Sequence, residues 1–187
     1  WRLDEIDIYN PNHYATLGGS GGTRTIFCQR LLTNTDFYSG AFPADYGNAL
    51  GAVFDVRFRN GNTEKRQHSI QLGFVGIDLA TEGPFTKKGN SSYLINYRLS
   101  TSVLLNEFLQ EADIPIFKLK IKGVINIFGI GGLSGSSYIP PLDTSLWTGR
   151  LAGSLGRIYQ ANTATMGGSY VQPLSDKTYM KHTLMGT

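Results

Sequence analysis

Residues Asp36–Asn60 read DFYSGAFPADYGNALGAVFDVRFRN, and the two halves of this stretch obey different rules. From Gly40 to Gly51 glycine, proline, asparagine and aspartate crowd together, the composition of a loop whose backbone has to turn. From Phe54 to Arg59 the pattern alternates. Phe54, Val56 and Phe58 occupy one face of a strand, and Asp55, Arg57 and Arg59 occupy the other. This stretch also divides the chain. Residues 1–60 mix short apolar runs with loop-forming segments such as Asn10-Pro11-Asn12 and Gly18–Gly22, while residues 65–187 are alternating segments separated by turn residues.

The clearest strand beyond the boundary is Tyr93–Ser100, with Tyr93, Ile95, Tyr97 and Leu99 on one face and Asn96, Arg98 and Ser100 on the other. Phe117, Leu119 and Ile121 alternate with Lys118, Lys120 and Lys122 in the same way. In residues 66–83 the apolar phase moves from Ile70, Leu72 and Phe74 to Ile77 and Leu79, which suggests one strand with a bulge around Gly76. Residues 124–133 read as a strand apolar on both faces. Two more strands are expected at about 157–171 and 176–186, joined by a turn at Pro173–Asp176. Thr101–Gln110 carries a weak signal for one turn of helix. The fold class is therefore all-β, with about five antiparallel strands after residue 65.

Composition agrees with that class. Of 187 residues 17% are charged, against about 25% in typical soluble domains, while 23 glycines and 12% aromatics suit tight turns and Tyr/Phe-rich strands. A net charge of +3 without any run of like charge gives no footprint for nucleic acid. Cys28 is the single cysteine and cannot form an internal disulfide. No apolar run approaches the length of a membrane-spanning helix, but barrel strands need only about 9–11 residues and escape hydropathy averages.

Motifs for covalent chemistry do not assemble. Gly18-Gly19-Ser20-Gly21-Gly22 matches G-x-S-x-G, yet no strand precedes it and no helix follows; it also lacks the Gly-Lys-Ser/Thr of a phosphate loop. Asp4, Glu5, Asp7 and His13 lie near one turn, but their spacing fits no known cation loop, and a solvated strand edge is expected there. His68 and His182 stand alone, and Asp45, Asp55 and Asp78 form no acid–base pair legible from spacing. No enzyme, cofactor or metal site is expected.

Several segments carry a family resemblance. Phe42-Pro43-Ala44-Asp45-Tyr46-Gly47, with the strand after it, resembles the end of the plug domain in TonB-dependent outer-membrane transporters, where an F-P-A-x-Y-G loop precedes the last plug strand. Trp1–Ala15 is similar to the middle of the plug in a branch that often carries a carboxypeptidase-regulatory-like domain. Gln71–Phe85 resembles the first barrel strand and its turn, and Ser91–Thr101 the second. The resemblance implies that residues 1–62 are the C-terminal half of a plug and 63–187 the first strands of a transmembrane β-barrel, incomplete in this chain. Glu111–Val124 is shorter than the two strands and turn that family members place there, which suggests that distant pieces read as continuous.

What the resemblance implies is import across the bacterial outer membrane. A scarce extracellular solute (a small molecule, oligosaccharide or peptide) binds, and the inner-membrane energising complex acts through TonB to rearrange the plug. Outer-membrane lipid, and in some members a surface lipoprotein, are the further partners implied. Asp55, Arg57 and Arg59 are expected to meet the barrel wall. Phe42, Pro43, Tyr46 and Gly47 would shape the hinge, and Asn10, Asn12 and His13 would face the solute. Tyr93, Tyr97, Tyr170 and Tyr179 are candidates for aromatic girdles. The alternative is a soluble, secreted β-sandwich serving as a binding or adhesion module.

Overall fold

In a computed structural model the chain is described at residues 1–13, 24–73, 76–87, 90–100, 109–122, 124–140, 143 and 156–187. The first short strands, β1 (Arg2–Leu3) and β2 (Ile6–Asp7), pair antiparallel around Asp4 and Glu5. Both turn residues have positive φ, 46° and 72°. A two-residue hairpin needs that geometry, yet non-glycine residues adopt it only at a cost of order 1 kcal/mol or more, so something outside the turn must hold it. Strands β3 (Asn12–His13) and β4 (Arg24–Thr25) form a second small pair, followed by a 3-10 turn at Gln29–Leu31. Strands β5 (Asp36–Tyr38) and β6 (Val53–Val56) complete a four-stranded mixed sheet of order β2-β1-β6-β5. Here β1 runs parallel to β6.

The rest of the chain forms one antiparallel meander of seven strands in sequence order: β7 (Gln67–Gly73), β8 (Gly76–Pro84), β9 (Ser92–Ser100), β10 (Leu109–Ile121), β11 (Ile125–Tyr138), β12 (Arg157–Ser175) and β13 (Thr178–Gly186). The fold is all-β, and among the described residues no helix is long and apolar enough to cross a membrane. The change of sheet falls between Val56 and Gln67, the stretch that holds the 62/63 boundary.

Two expectations need correction. Residues 66–83 are not one bulged strand. They hold two, with Gly73 opposite Gly76, Leu72 opposite Ile77 and Ile70 opposite Leu79. In a hairpin closed by two residues an even position always meets an odd one, so the apolar phase shift marks a turn, not a bulge. The meander has seven strands where about five were expected. Glu111–Val124 holds part of β10 and the turn into β11. The weak helical signal at 101–108 lies outside the described residues, as do Gly18–Gly22; Leu109 and Gln110 open β10.

The register assigns the two faces of the meander. Ile70 and Leu72 on β7 continue into Ile77 and Leu79 on β8 and then into Leu99, Tyr97, Ile95 and Tyr93 on β9. The same face runs through Phe117, Leu119 and Ile121, through Ile125 and Ile127, and on to Met166, Tyr170 and Leu184. Ile70 is 73% exposed and Leu72 74%. The opposite face carries Ser69, Gln71, Asp78, Glu82, Asn96, Arg98, Lys118, Ser134 and Lys181, and on it sits the N-terminal unit. The buried apolar residues Leu94, Ile116, Phe128 and Ile130 share that face.

The N-terminal unit meets β9–β12 through a shared core. Leu3, Ile6, Ile26, Phe27, Leu31, Val56 and Phe58 pack with Leu94, Ile116, Phe128 and Ile130, all buried. Phe58 bridges Phe27 and Phe128 through edge-to-face contacts at 6.3 and 6.0 Å. Contact with β11 and β12 is close enough to demand glycine. A Cβ at Gly132 would lie 2.6 Å from His13 Cε1, and one at Gly167 would lie 2.6 Å from Phe128 Cζ and 2.9 Å from Ile6 Cδ1. Gly167→Val is expected to lower stability by about 1–3 kcal/mol through overpacking. Gly51→Ala, whose Cβ would meet nothing within 4 Å, is expected to change it by less than about 0.5 kcal/mol; denaturant midpoints of the two variants check the contrast.

Candidate functional site

The boundary between the N-terminal unit and the inner face of the meander is where the charged groups converge. Asp4 sits at its centre. Its Oδ1 accepts from the Phe58 amide at 3.0 Å, and its Oδ2 accepts from Lys118 Nζ at 2.7 Å. Lys118 also donates to the Phe58 carbonyl at 2.9 Å, and its side chain is 9% exposed. These bonds hold the strained β1–β2 turn against β10. The neighbouring Glu5 points elsewhere and pairs with Lys181 on β13. An acidic pair expected at a solvated edge instead ties the first turn to two strands of the meander. No local sequence signal reports this, because Asp4 and Lys118 are 114 positions apart.

A second tie is bidentate. Arg59 donates from Nη1 and Nη2 to Glu82 of β8 at 2.7 and 2.8 Å, and the Asn62 amide donates to the same carboxylate at 2.9 Å. The hydrogen bond to Glu82 raises the Arg59 guanidinium above its ordinary pKa. Further along, Arg30 donates to Ser69 and, at 2.9 Å, to Gln71 on β7. Arg98 on β9 donates to the Thr25 carbonyl at 2.6 Å. Cys28 Sγ donates to Asp78 Oδ2 at 3.2 Å, while Asn96 donates to Asp78 Oδ1 at 2.9 Å. Burial raises the Cys28 thiol pKa, so it stays protonated.

Two clefts open along this boundary. The larger, about 600 Å³, lies between the β4 to 3-10 segment and β7–β9; Arg24, Thr25, Cys28, Gln29, Arg30, Gln71, Gly73, Gly76, Asp78 and Arg98 line it. The smaller, about 270 Å³, lies against β11 and β12 and is lined by uncharged residues that include Tyr9, Asn10, Asn162, Thr163 and Thr165. Among the described residues no three His, Cys, Asp or Glu side chains are placed to hold a metal ion.

Of the three charged residues on the strand that opened the sequence reading, Arg59 reaches the meander. Asp55 and Arg57 are placed differently. Asp55 is 2% exposed and accepts at Oδ2 from Tyr46 and Arg57, both at 3.0 Å and both within the N-terminal unit. Arg57 also approaches Asp36 at 3.7 Å, and its bond to Asp55 raises its pKa. The reason is the sheet: β6 is central in β2-β1-β6-β5, so Asp55 lies beneath the Phe42–Gly47 loop rather than facing the meander. That loop is closed by a Tyr46 amide to Pro43 carbonyl bond of 3.1 Å, with Phe42 half-buried and Pro43 and Gly47 exposed. Arg2 lies over the Tyr46 ring at 4.7 Å. Burial, then the bond to Asp55, pushes the Tyr46 hydroxyl far above its usual pKa.

His13 corrects an expectation. The β3–β4 register turns its ring inward against β11, where it is 2% exposed, rather than toward a solute. Asn10 and Asn12 are half-buried and bonded to each other at 2.8 Å; Asn10 borders the smaller cleft. Of the tyrosines, Tyr93 and Tyr170 lie on the apolar face toward the end that carries the 122–124 turn, whereas Tyr179 shares the inner face with Lys181. No family model, curated protein or solved structure matches the chain.

Lys118→Met is expected to cost about 3 kcal/mol or more, because it strands a largely buried carboxylate. Lys181→Met is expected to cost less than about 1 kcal/mol, because Glu5 is 54% exposed. Adding Asp4→Asn to Lys118→Met is expected to recover part of the loss, and a double-mutant cycle of unfolding free energies checks the set.

Proposed function

We propose that the chain is part of a TonB-dependent outer-membrane receptor that binds a scarce extracellular solute and imports it with energy delivered through TonB. Residues 1–62 are then the C-terminal half of the plug and 63–187 the first seven strands of the barrel. The observation that carries the proposal is the polarity of the meander. One face is predominantly apolar from Ile70 to Leu184, with His68, Thr81, Asn162, Gln172 and His182 among its polar positions, and the other gathers the charged groups and is closed over a unit that is ion-paired to it. A transmembrane barrel needs that arrangement, with lipid outside and a polar lumen holding a plug. Seven strands form an arc of a plugged barrel, which takes about 22; further strands of the same polypeptide would close it.

Strand and connection lengths support the proposal. β8, β9 and β13 have nine residues each, close to the roughly 9–11 that cross a bilayer, and β10, β11 and β12, at 13, 14 and 19 residues, would extend beyond it. One end of the meander carries the connections 85–91, 122–124 and 176–177; the other carries 74–75, 101–108 and 139–156. Two of the three connections at the second end are the longest in the sheet, the asymmetry of a barrel with short periplasmic turns and long extracellular loops. Phe85 and Tyr93, with ring centroids 5.3 Å apart, and Tyr170 stacked on His182 at 6.3 Å stand on the apolar side near the short-turn end. A headgroup belt of aromatic rings would occupy that height.

In this mechanism no covalent step acts on the solute. The Arg59–Glu82 pair, the Asp4–Lys118 pair and the Arg30 contacts hold the plug in one of two states, and TonB biases the other. Exchanging such charge-assisted bonds for water changes free energy by about 1.5–3 kcal/mol each, a cost that an external pull can supply.

Two measurements test the proposal. Native-source membranes should retain the full polypeptide through carbonate washing, and its band should migrate differently before and after boiling in detergent, as closed barrels do. Recovery in the soluble fraction, with a cooperative melt without detergent, would instead support the sandwich. Ile95→Arg, on the outer face, is expected to cost about 2–4 kcal/mol in a folding titration into bilayers. A cost below about 1 kcal/mol would contradict lipid contact there.

A further inference from the structure

The two ends of the meander differ in charge as well as in the length of their connections. At the short-turn end the segments 64–66, 85–91, 122–124 and 176–177 carry Lys65, Arg66, Lys87, Lys88, Lys122 and Lys177, against two carboxylates, Glu64 and Asp176. At the other end the connections 74–75, 101–108 and 139–156 carry two carboxylates, Glu107 and Asp143, and one cation, Arg150. Lys65, Arg66, Lys87, Lys122 and Lys177 are exposed, and no ion pair among the described residues engages them. Lys118 and Lys181 of the same sheet are, by contrast, committed to Asp4 and Glu5. The outer face changes toward this end too. Its apolar positions Ile70, Leu72, Ile77 and Leu79 give way to His68 and Thr81 on β7 and β8, and Gln172 and His182 stand on β12 and β13. Arg66 lies one residue before Gln67, and its stem covers Gly83, where a Cβ would come within 2.7 Å of Arg66 Cγ. Gly83 pairs with Tyr93, so an arginine stands in the row of that aromatic ring.

We propose that the short-turn end of the meander is a docking surface for anionic phospholipid headgroups in the leaflet on that side. The proposal rests on the import reading above, which puts this sheet in a bilayer, and adds the lipid chemistry of one rim. Charge complementarity carries it. A phosphodiester headgroup without an amine presents a net negative charge at the depth where an apolar belt ends. Lysine and arginine stems lie along apolar surface while their heads reach that depth. Each basic residue held at an anionic surface strengthens association by roughly fivefold, and the attraction fades within a Debye length of about 10 Å, so position decides which cations count. Here four separate segments bring their cations to one boundary, the end that carries the Phe85–Tyr93 and Tyr170–His182 ring pairs. Glu64 and Asp176 offset Lys65 and Lys177 in part, but the connections of Lys87, Lys88 and Lys122 hold no acidic residue. A zwitterionic headgroup, whose amine cancels its phosphate, offers the same cations no net charge.

The test uses the full-length receptor reconstituted in phosphatidylcholine vesicles, with spin-labelled phosphatidylglycerol or spin-labelled phosphatidylcholine as the probe. The motionally restricted fraction of each label gives its relative association with the protein. Phosphatidylglycerol is expected to associate about threefold more strongly, and the preference is expected to fall toward unity at about 1 M salt. The combined variant Lys65→Gln, Arg66→Gln, Lys87→Gln, Lys122→Gln and Lys177→Gln is expected to lose most of it. These side chains are exposed, so the barrel should still form, and heat-modifiability checks that it does. If the combined variant fails to fold, Lys87→Gln with Lys122→Gln is read in its place and is expected to lose about a third or more of the preference. Equal association of the two lipids, a preference indifferent to salt, or one that the substitutions leave unchanged would overturn the proposal. The reading beneath it is scored separately. A receptor that is heat-modifiable and embedded in the bilayer, yet shows no lipid preference, overturns the docking surface alone, whereas a polypeptide recovered in the soluble fraction overturns the import reading.

Discussion

Seven hydrogen-bonded strands with one apolar face and one charged face need a different medium on each side, and the rest of the structure follows from that requirement. On the charged side the medium is protein. The N-terminal unit supplies a carboxylate and carbonyls to Lys118 and Arg98 and a guanidinium and an amide to Glu82, and covers Leu94, Ile116, Phe128 and Ile130 with Leu3, Ile6, Ile26 and Phe58. Burying a charge is tolerable only when it is paired and hydrogen-bonded. The centre of the interface meets that condition: Asp4 accepts from Lys118 and Phe58, and Lys118 gives a further bond to the Phe58 carbonyl. The same bonds hold the two positive φ angles of the β1–β2 turn, so local strain and long-range pairing are one feature.

Around this centre the attachment is uneven. Toward β10–β12 the surfaces interlock through side chains and glycines, a contact that loses its full hydrophobic and packing energy when separated. Toward β7–β9, beside the buried Leu94, the contacts are the Arg59–Glu82 ion pair and guanidinium, hydroxyl, amide and thiol groups that water can replace. A unit held in this way has a seam and an opening side. The loop at Phe42–Gly47 lies apart from both, over the central strand β6, and its tyrosine secures Asp55 in the sheet of the N-terminal unit rather than at the meander.

Much of the all-β architecture was legible in the chain because alternation is a local signal. Tyr93–Ser100 and Phe117–Lys122 display both of their faces within eight residues or fewer, and the structure keeps those faces. The hairpin at 67–84 was hidden by its two-residue turn, which shifts apolar parity much as a bulge would; the pairing of Gly73 with Gly76 distinguishes the two. The site was harder to read. Lys118 looks like one of three solvated lysines until Asp4 is brought beside it, and His13 looks available until the β3–β4 register turns it toward β11. Arg59 was identified through its strand, but its partner Glu82 lies across a change of sheet. Interactions that depend on which sheet lies over which leave no periodic trace in a single sequence.

The most direct test of the central claim is the environment of β9, one position at a time. Spin labels placed singly at residues 93 to 99 of the full-length protein in bilayers, read with oxygen and with a water-soluble nickel relaxant, report lipid and water separately. The expected result is a period of two. Labels at Tyr93, Ile95, Tyr97 and Leu99 should be accessible to oxygen and shielded from nickel, whereas labels at Leu94 and Asn96, which are each 1% exposed against the N-terminal unit, should be shielded from both. Odd positions as open to nickel as a soluble surface, or as closed to both relaxants as the even ones, would contradict a lipid-facing sheet.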